Sequence, residues 1–273
     1  MLDKTRSHRT ERFGFRPISA KTASIRKLSA VLIPAALAVA AGSGPALAHE
    51  PGGGIAAPAG GGVTAPFDIV HARIMTEGNV AVFRMDVSGE AGSARPTATG
   101  KLAGAEVFSY VWPTSIDSAE VGFEEGAGIL ALAVTAHPDF DDTPFFDENQ
   151  DGRRDNDGDL WHSHWVVLTP DESCGPGHLK VKDIPEGVKP RLPKTWPGLP
   201  ILIDSPGWSP VIESDTVEVR VPFDDIGAVM NASYDGVTAG LRVNESIHAP
   251  LLCVVDVFDV ASGDLSLPGK VGQ

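Results

Sequence analysis

The chain has 273 residues, 36 acidic against 22 basic side chains, a formal net charge of −14 and two cysteines. Such a surface repels nucleic acid and anionic lipid and concentrates cations. Two cysteines exclude a disulfide-rich scaffold.

Residues 1–48 read as a secretory signal peptide. Lys21, Arg26 and Lys27 precede an apolar run from Leu28 to Ala41, and Ala46-Leu47-Ala48 forms a small-x-small cleavage site. The run is short for a span of ~20 residues and carries Pro34, which favours cleavage over a membrane anchor. No twin-arginine pair precedes it, which favours a Sec-type route. The mature chain of about 225 residues is expected in a periplasm or outside the cell, with no membrane span. It retains 14 basic and 34 acidic residues, a formal charge of about −20.

The expected mature chain starts at His49, and a terminal histidine can chelate copper through its amine and imidazole. Glycine, alanine and proline up to Pro66 instead describe a flexible tether that would not hold such a chelate still. From Phe67, short apolar runs alternate with Gly, Pro, Asn and Asp. Phe67–Met75 and Asn79–Val87 read as a hairpin. Further strands are expected at Glu106–Trp112, Ile129–Thr135, Trp161–Leu168, Leu199–Ile203, Thr216–Val221, Val237–Val243 and Leu251–Phe258. Only Pro222–Met230 suits a short helix. Residues 67–273 are therefore expected to form one all-β domain, a sandwich of about nine antiparallel strands with long loops. A barrel is the alternative.

Cys174 and Cys253, left alone in an oxidising compartment, are expected to pair as a disulfide. The competing reading makes Cys174 a metal thiolate beside His178. Seven prolines between Pro170 and Pro200 mark a long ordered loop.

Most chemical information lies between His137 and Trp165. Nine carboxylates fall between Asp139 and Asp159, opposed only by Arg153 and Arg154. Asp147, Asn149 and Asp151 sit at every second residue before Gly152, and Asp155, Asp157 and Asp159 repeat the spacing around Gly158. Alternate oxygens turned inward by a tight loop suit calcium, which takes six to eight of them. The segment DENQDGRRD resembles the calcium loop shared by EF-hand, dockerin and thrombospondin type 3 segments. The resemblance covers about a dozen residues. It implies Asp147, Asn149 and Asp151 as side-chain ligands, the Arg153 carbonyl as a backbone ligand and Asp155 as a further one. It departs from the EF-hand at the twelfth position, where Gly158 stands in place of a bidentate Glu; Asp157 and Asp159 are the candidate substitutes.

His137 closes one expected strand, and His162 and His164 open the next. Two residues apart on a strand means one face, so three imidazoles are expected near the base of the acidic loop as a Zn2+ or Cu2+ site. Trp161 and Trp165 should face the other way. Hydrogen bonding of these histidines to nearby aspartates is the alternative.

No nucleophile elbow, phosphate loop or dinucleotide fingerprint is present, so catalytic residues are not assigned and an enzyme is disfavoured. Three functions stand: a secreted calcium-binding β-protein, a copper or zinc protein or metalloenzyme built on the histidines, and a calcium-stabilised module for a glycan or protein partner, with Trp196 and Trp208 as stacking groups.

Overall fold

The computed structural model describes residues 53–247 and 250–272. The signal peptide, His49 and His248 lie outside these residues. Fourteen strands form within them: β1 (Gly54–Ala56), β2 (Ile69–Glu77), β3 (Val80–Val87), β4 (Glu106–Pro113), β5 (Ile129–Ala136), β6 (His162–Pro170), β7 (Leu179–Val181), β8 (Ile203–Asp204), β9 (Val211–Glu213), β10 (Thr216–Pro222), β11 (Ser233–Tyr234), β12 (Val237–Val243), β13 (Leu252–Val260) and β14 (Gly269–Lys270). One turn of α-helix, α1 (Gly227–Met230), and three short 3-10 turns accompany them. Among the described residues no helix is long and apolar enough to cross a membrane.

The protein is all-β and antiparallel, and both expected architectures are present. β5-β4-β12-β13-β7-β6 form a six-stranded barrel, closed by pairing of β5 with β6, and β8 pairs with β6 at Trp165 and Val166. β1-β2-β3-β10-β9 form a second sheet. Register shifts where β12 meets β13 mark bulges, which bend a strand as barrel closure requires.

The alternation of each strand decides which face goes where. One face of β4, β5 and β6 sends Tyr110, Trp112, Leu130, Leu132, Val134, Trp165 and Val167 into a core shared with Ile74, Phe83, Val217, Val219 and Val221 of the second sheet. Phe83 packs edge-on against both Trp112 and Trp165, with centroids 6.0 and 5.8 Å apart. The other face points into the barrel, where Val107, Val111, Ala131, Ala133, Val166, Ala239 and Leu241 form a separate cluster. Being covered on both sides explains why β5 reads as the nearly unbroken apolar run ILALAVTA.

Two expectations change, and one pair of alternatives is decided. Gly54–Ala56, assigned to the flexible tether, pairs with β2 and buries Ile55. The proline-rich segment contains β7, a barrel strand tied at Lys180 to Cys253 of β13. Cys174 and Cys253 form the expected disulfide, so Cys174 is not a metal thiolate.

Candidate metal centre

The barrel-facing side of β5 and β6 carries the histidines. Antiparallel register sets Thr135 opposite His162 and Ala133 opposite His164. His137, two residues beyond Thr135, continues the same face just past the strand end. Trp165 points the opposite way into the inter-sheet core, as expected. Asp142 arrives from the β5–β6 connection. All four side chains are buried, the histidines 1–2% exposed and Asp142 6%.

Their donor atoms converge. Asp142 Oδ1 lies 3.3 Å from His137 Nε2 and 3.2 Å from both His162 Nε2 and His164 Nε2. His137 Nε2 and His162 Nε2 are 3.0 Å apart. A tetrahedral ion with ligand bonds of ~2.0–2.1 Å places neighbouring donors about 3.3 Å apart, so the spacing matches one small divalent ion.

The outward ring nitrogens fix the tautomers. His137 Nδ1 lies 2.9 Å from the Phe140 carbonyl and His162 Nδ1 2.8 Å from the Leu160 carbonyl. A carbonyl only accepts, so both Nδ1 atoms carry the proton. His164 Nδ1 is 3.1 Å from Ser205 Oγ, whose single proton is given to the Asp142 carbonyl at 2.7 Å. Ser205 can therefore only accept from His164. Each ring thus has its Nδ1 engaged elsewhere and turns its Nε2 on the other rings and on a carboxylate. The Thr135 hydroxyl, 3.2 Å from His162 Nε2, can satisfy one of them. His164 Nε2 and Asp142 Oδ1 have no hydrogen-bond partner. Without a cation, either these groups stay unsatisfied or imidazolium charge is buried, and both are costly.

Burial pushes the Asp142 carboxyl upward, but the charge that the adjacent His164 and His137 rings carry whenever they are protonated outweighs it and holds the carboxyl well below the usual range. Asp204, at the end of β8, is pushed up by burial against a hydrogen bond from Thr195 and the nearby His164 ring.

Two contacts set the His137 turn. The Phe140 ring stacks on His137 at 4.0 Å, and the His137 amide donates to the Gly158 carbonyl at 2.7 Å. A Cβ on Gly158 would run into the Phe140 carbonyl oxygen and come within 3.0 Å of that of His137. This close approach accounts for glycine at the position where an EF-hand has its bidentate Glu.

The residues of the expected oxygen cage hydrogen-bond within their own loop. Asp147 accepts from the amides of Asp151 and Gly152, Asn149 from that of Asp151, and Asp151 from that of Arg153 and the Asn156 side chain. Asp155 pairs with the Arg153 side chain in solvent. Asp159 is exposed, and its carbonyl accepts from Arg95. Among the described residues, Asp147, Asp151, Asp155 and Asp159 do not join a group of three or more carboxylate or imidazole donors within 4.8 Å of one another. Asp157 alone of the set turns inward, where it meets Asp141 and Glu148.

A cavity of about 170 Å³ inside the barrel reaches His137, Asp142 and His164 and is otherwise lined mainly by aliphatic side chains. Small residues on neighbouring strands, Ser109, Ala133 and Ala239, line this space. Trp196 and Trp208 are half-buried: Trp196 Nε1 donates to the Ile201 carbonyl, and Trp208 packs edge-on against Trp165.

Asp142 and Ser205 were missed in the sequence. Asp142 is one of nine carboxylates with no distinguishing spacing, and Ser205 lies in what reads as turn chemistry. The fold supplies both, through the path of the β5–β6 connection and the pairing of β8 with β6. No family model, curated protein or solved structure matches the chain.

Proposed function

We propose that the protein is an exported zinc-binding β-barrel protein in which His137, His162, His164 and Asp142 hold one ion. The observation that carries this is the convergence of three Nε2 atoms, on rings whose Nδ1 is engaged elsewhere, with one carboxylate oxygen in a buried site, four of the separations being 3.0–3.3 Å, close to the edge of a zinc tetrahedron. Imidazole and carboxylate donors suit zinc and copper(II); a compact four-donor shell suits zinc better, since copper(II) favours a tetragonal arrangement. Four protein donors leave no open position, which is the mark of an ion that orders structure. The ion would clamp the β5–β6 connection, through Asp142, onto the barrel strands bearing the histidines. The disulfide fits an oxidising compartment.

Zinc binding to the metal-free chain tests this. One equivalent is expected to bind, and at a free concentration about 1,000 times the Kd it stabilises by ~4 kcal/mol. A His162→Ala/His164→Ala double variant that keeps full zinc affinity would rule the centre out.

The barrel cavity favours a second reading, in which a small molecule reaches the ion and the protein is a metalloenzyme. Cobalt(II) in place of zinc separates the two. A spectrum unchanged by azide or cyanide supports the closed centre, and a ligand-dependent shift supports an accessible one.

A further inference from the structure

A second cluster lies beside the histidine centre. Donor atoms of Asp141, Glu148 and Asp157 lie within 4.8 Å of one another. Asp157 is 1% exposed, and while its Oδ2 accepts from the Glu148 and Asn149 amides at 2.6 and 3.2 Å, its Oδ1 has no partner. Glu148 Oε2 is likewise buried without a donor. Asp141 accepts from the Thr143 amide and hydroxyl through Oδ1 and from the Asp157 amide through Oδ2. Of the two arginines in this stretch, Arg153 is paired with exposed Asp155.

Three carboxylates at this separation repel unless a proton or a cation joins them. A proton shared by Asp157 Oδ1 and Glu148 Oε2 would relieve that pair, but it would leave a charge facing the third carboxylate, Asp141; a cation answers all three. We propose that Asp141, Glu148 and Asp157 bind a calcium ion, with solvent completing the shell. The donors are all oxygen, which excludes a preference for soft ions. The three carboxylates come from a loop rather than a rigid strand pair. Such a set tolerates the long, irregular coordination of calcium better than the strict octahedron of magnesium. The site differs from the alternating cage expected in the sequence, sharing only Asp157 with it.

The test is calcium titration of the full-length, zinc-loaded protein, followed by calorimetry and thermal unfolding, with elemental analysis to confirm that zinc stays bound. Wild type is expected to bind one calcium and to melt at a higher temperature in calcium than in chelator-treated buffer. Glu148→Gln and Asp157→Asn should each weaken binding at least tenfold. Both keep side-chain size, and the carboxamide of the Asp157→Asn variant retains an acceptor for the two amides, so folding is preserved; unchanged zinc content and far-ultraviolet circular dichroism verify it. Asp151→Asn and Asp155→Asn should leave binding within twofold. The proposal is overturned if wild type shows no calcium response, if magnesium binds as tightly, or if the Asp151 and Asp155 variants lose binding while Glu148→Gln keeps it.

Discussion

Asp141 and Asp142 are adjacent in the chain, yet their carboxyl groups belong to different clusters: Asp142 to the three imidazoles, Asp141 to Glu148 and Asp157. Two divalent ions so close would repel if bare, but their ligands reverse the balance. Zinc with Asp142 carries a net charge of +1, and calcium with three carboxylates carries −1. Opposite net charges on a shared backbone should couple the sites favourably. Saturating calcium is expected to raise zinc affinity by a factor within the usual range of such couplings, roughly 5–150-fold, and zinc to raise calcium affinity equally. Competition against a chromophoric chelator, with and without calcium, measures the factor. A ratio of one or less would show that the clusters do not assist each other.

Ser205 holds the His164 ring without touching the ion. Ser205→Ala removes the acceptor of the His164 Nδ1 proton and the donor to the Asp142 carbonyl. Losing such support commonly costs about 10–100-fold in metal affinity. Zinc affinity should fall by that order while the fold persists, as unchanged near-ultraviolet circular dichroism of the zinc-saturated variant would show. Affinity equal to wild type would mean that the ring is held by packing alone.

The disulfide contributes stability and no metal chemistry. It joins residues 79 apart in sequence, and closing a loop of that length is worth ~4 kcal/mol in the chain-entropy model. Cys174→Ala/Cys253→Ala should shift the urea midpoint down accordingly and leave zinc stoichiometry at one. Lost zinc in a folded double variant would revive a thiolate role for Cys174.

Acid stability should report on Asp86, in the second sheet. Burial raises its carboxyl, but the His71 ring 3.6 Å away and hydrogen bonds from Thr216 at 2.7 Å and Arg84 at 2.9 Å lower it by more, so it titrates well below the carboxylate range. A depressed native value means that the contribution is complete above the unfolded-chain value of ~3.9 and disappears as pH falls through the native one. Asp86→Asn should therefore be less stable than wild type at pH 6, with the gap narrowing below about pH 4. Urea midpoints at pH 6, 4 and 3 measure it. A gap that stays constant would mean that the carboxylate's charge is not what stabilises.

Strand alternation made part of the site legible before any coordinates. His-x-His on β6 had to share a face, and His137 had to fall near it if β5 and β6 paired. Both followed from a period of two, and the opposite orientation of Trp165 followed with them. Asp142 was not legible, because among nine carboxylates the choice of ligand depends on the three-dimensional path of a loop fixed by contacts such as Gly158 on Phe140. The alternation of Asp147, Asn149 and Asp151 turns their oxygens onto the amides of their own loop. Long strands with regular alternation, such as Val237–Val243, had clear boundaries, whereas β7, β9, β11 and β14 are too short to show any period. β1 hides in glycine because backbone pairing and one side chain, Ile55, suffice to hold it.

X-ray absorption at the zinc edge of the loaded protein tests the central claim most directly. The account predicts four nitrogen and oxygen scatterers at ~2.0–2.1 Å, with the outer-shell pattern of three imidazoles. In the His162→Ala/His164→Ala variant that pattern should be lost. A sulfur scatterer near ~2.3 Å, an all-oxygen shell, or an imidazole pattern that survives the double substitution would contradict it.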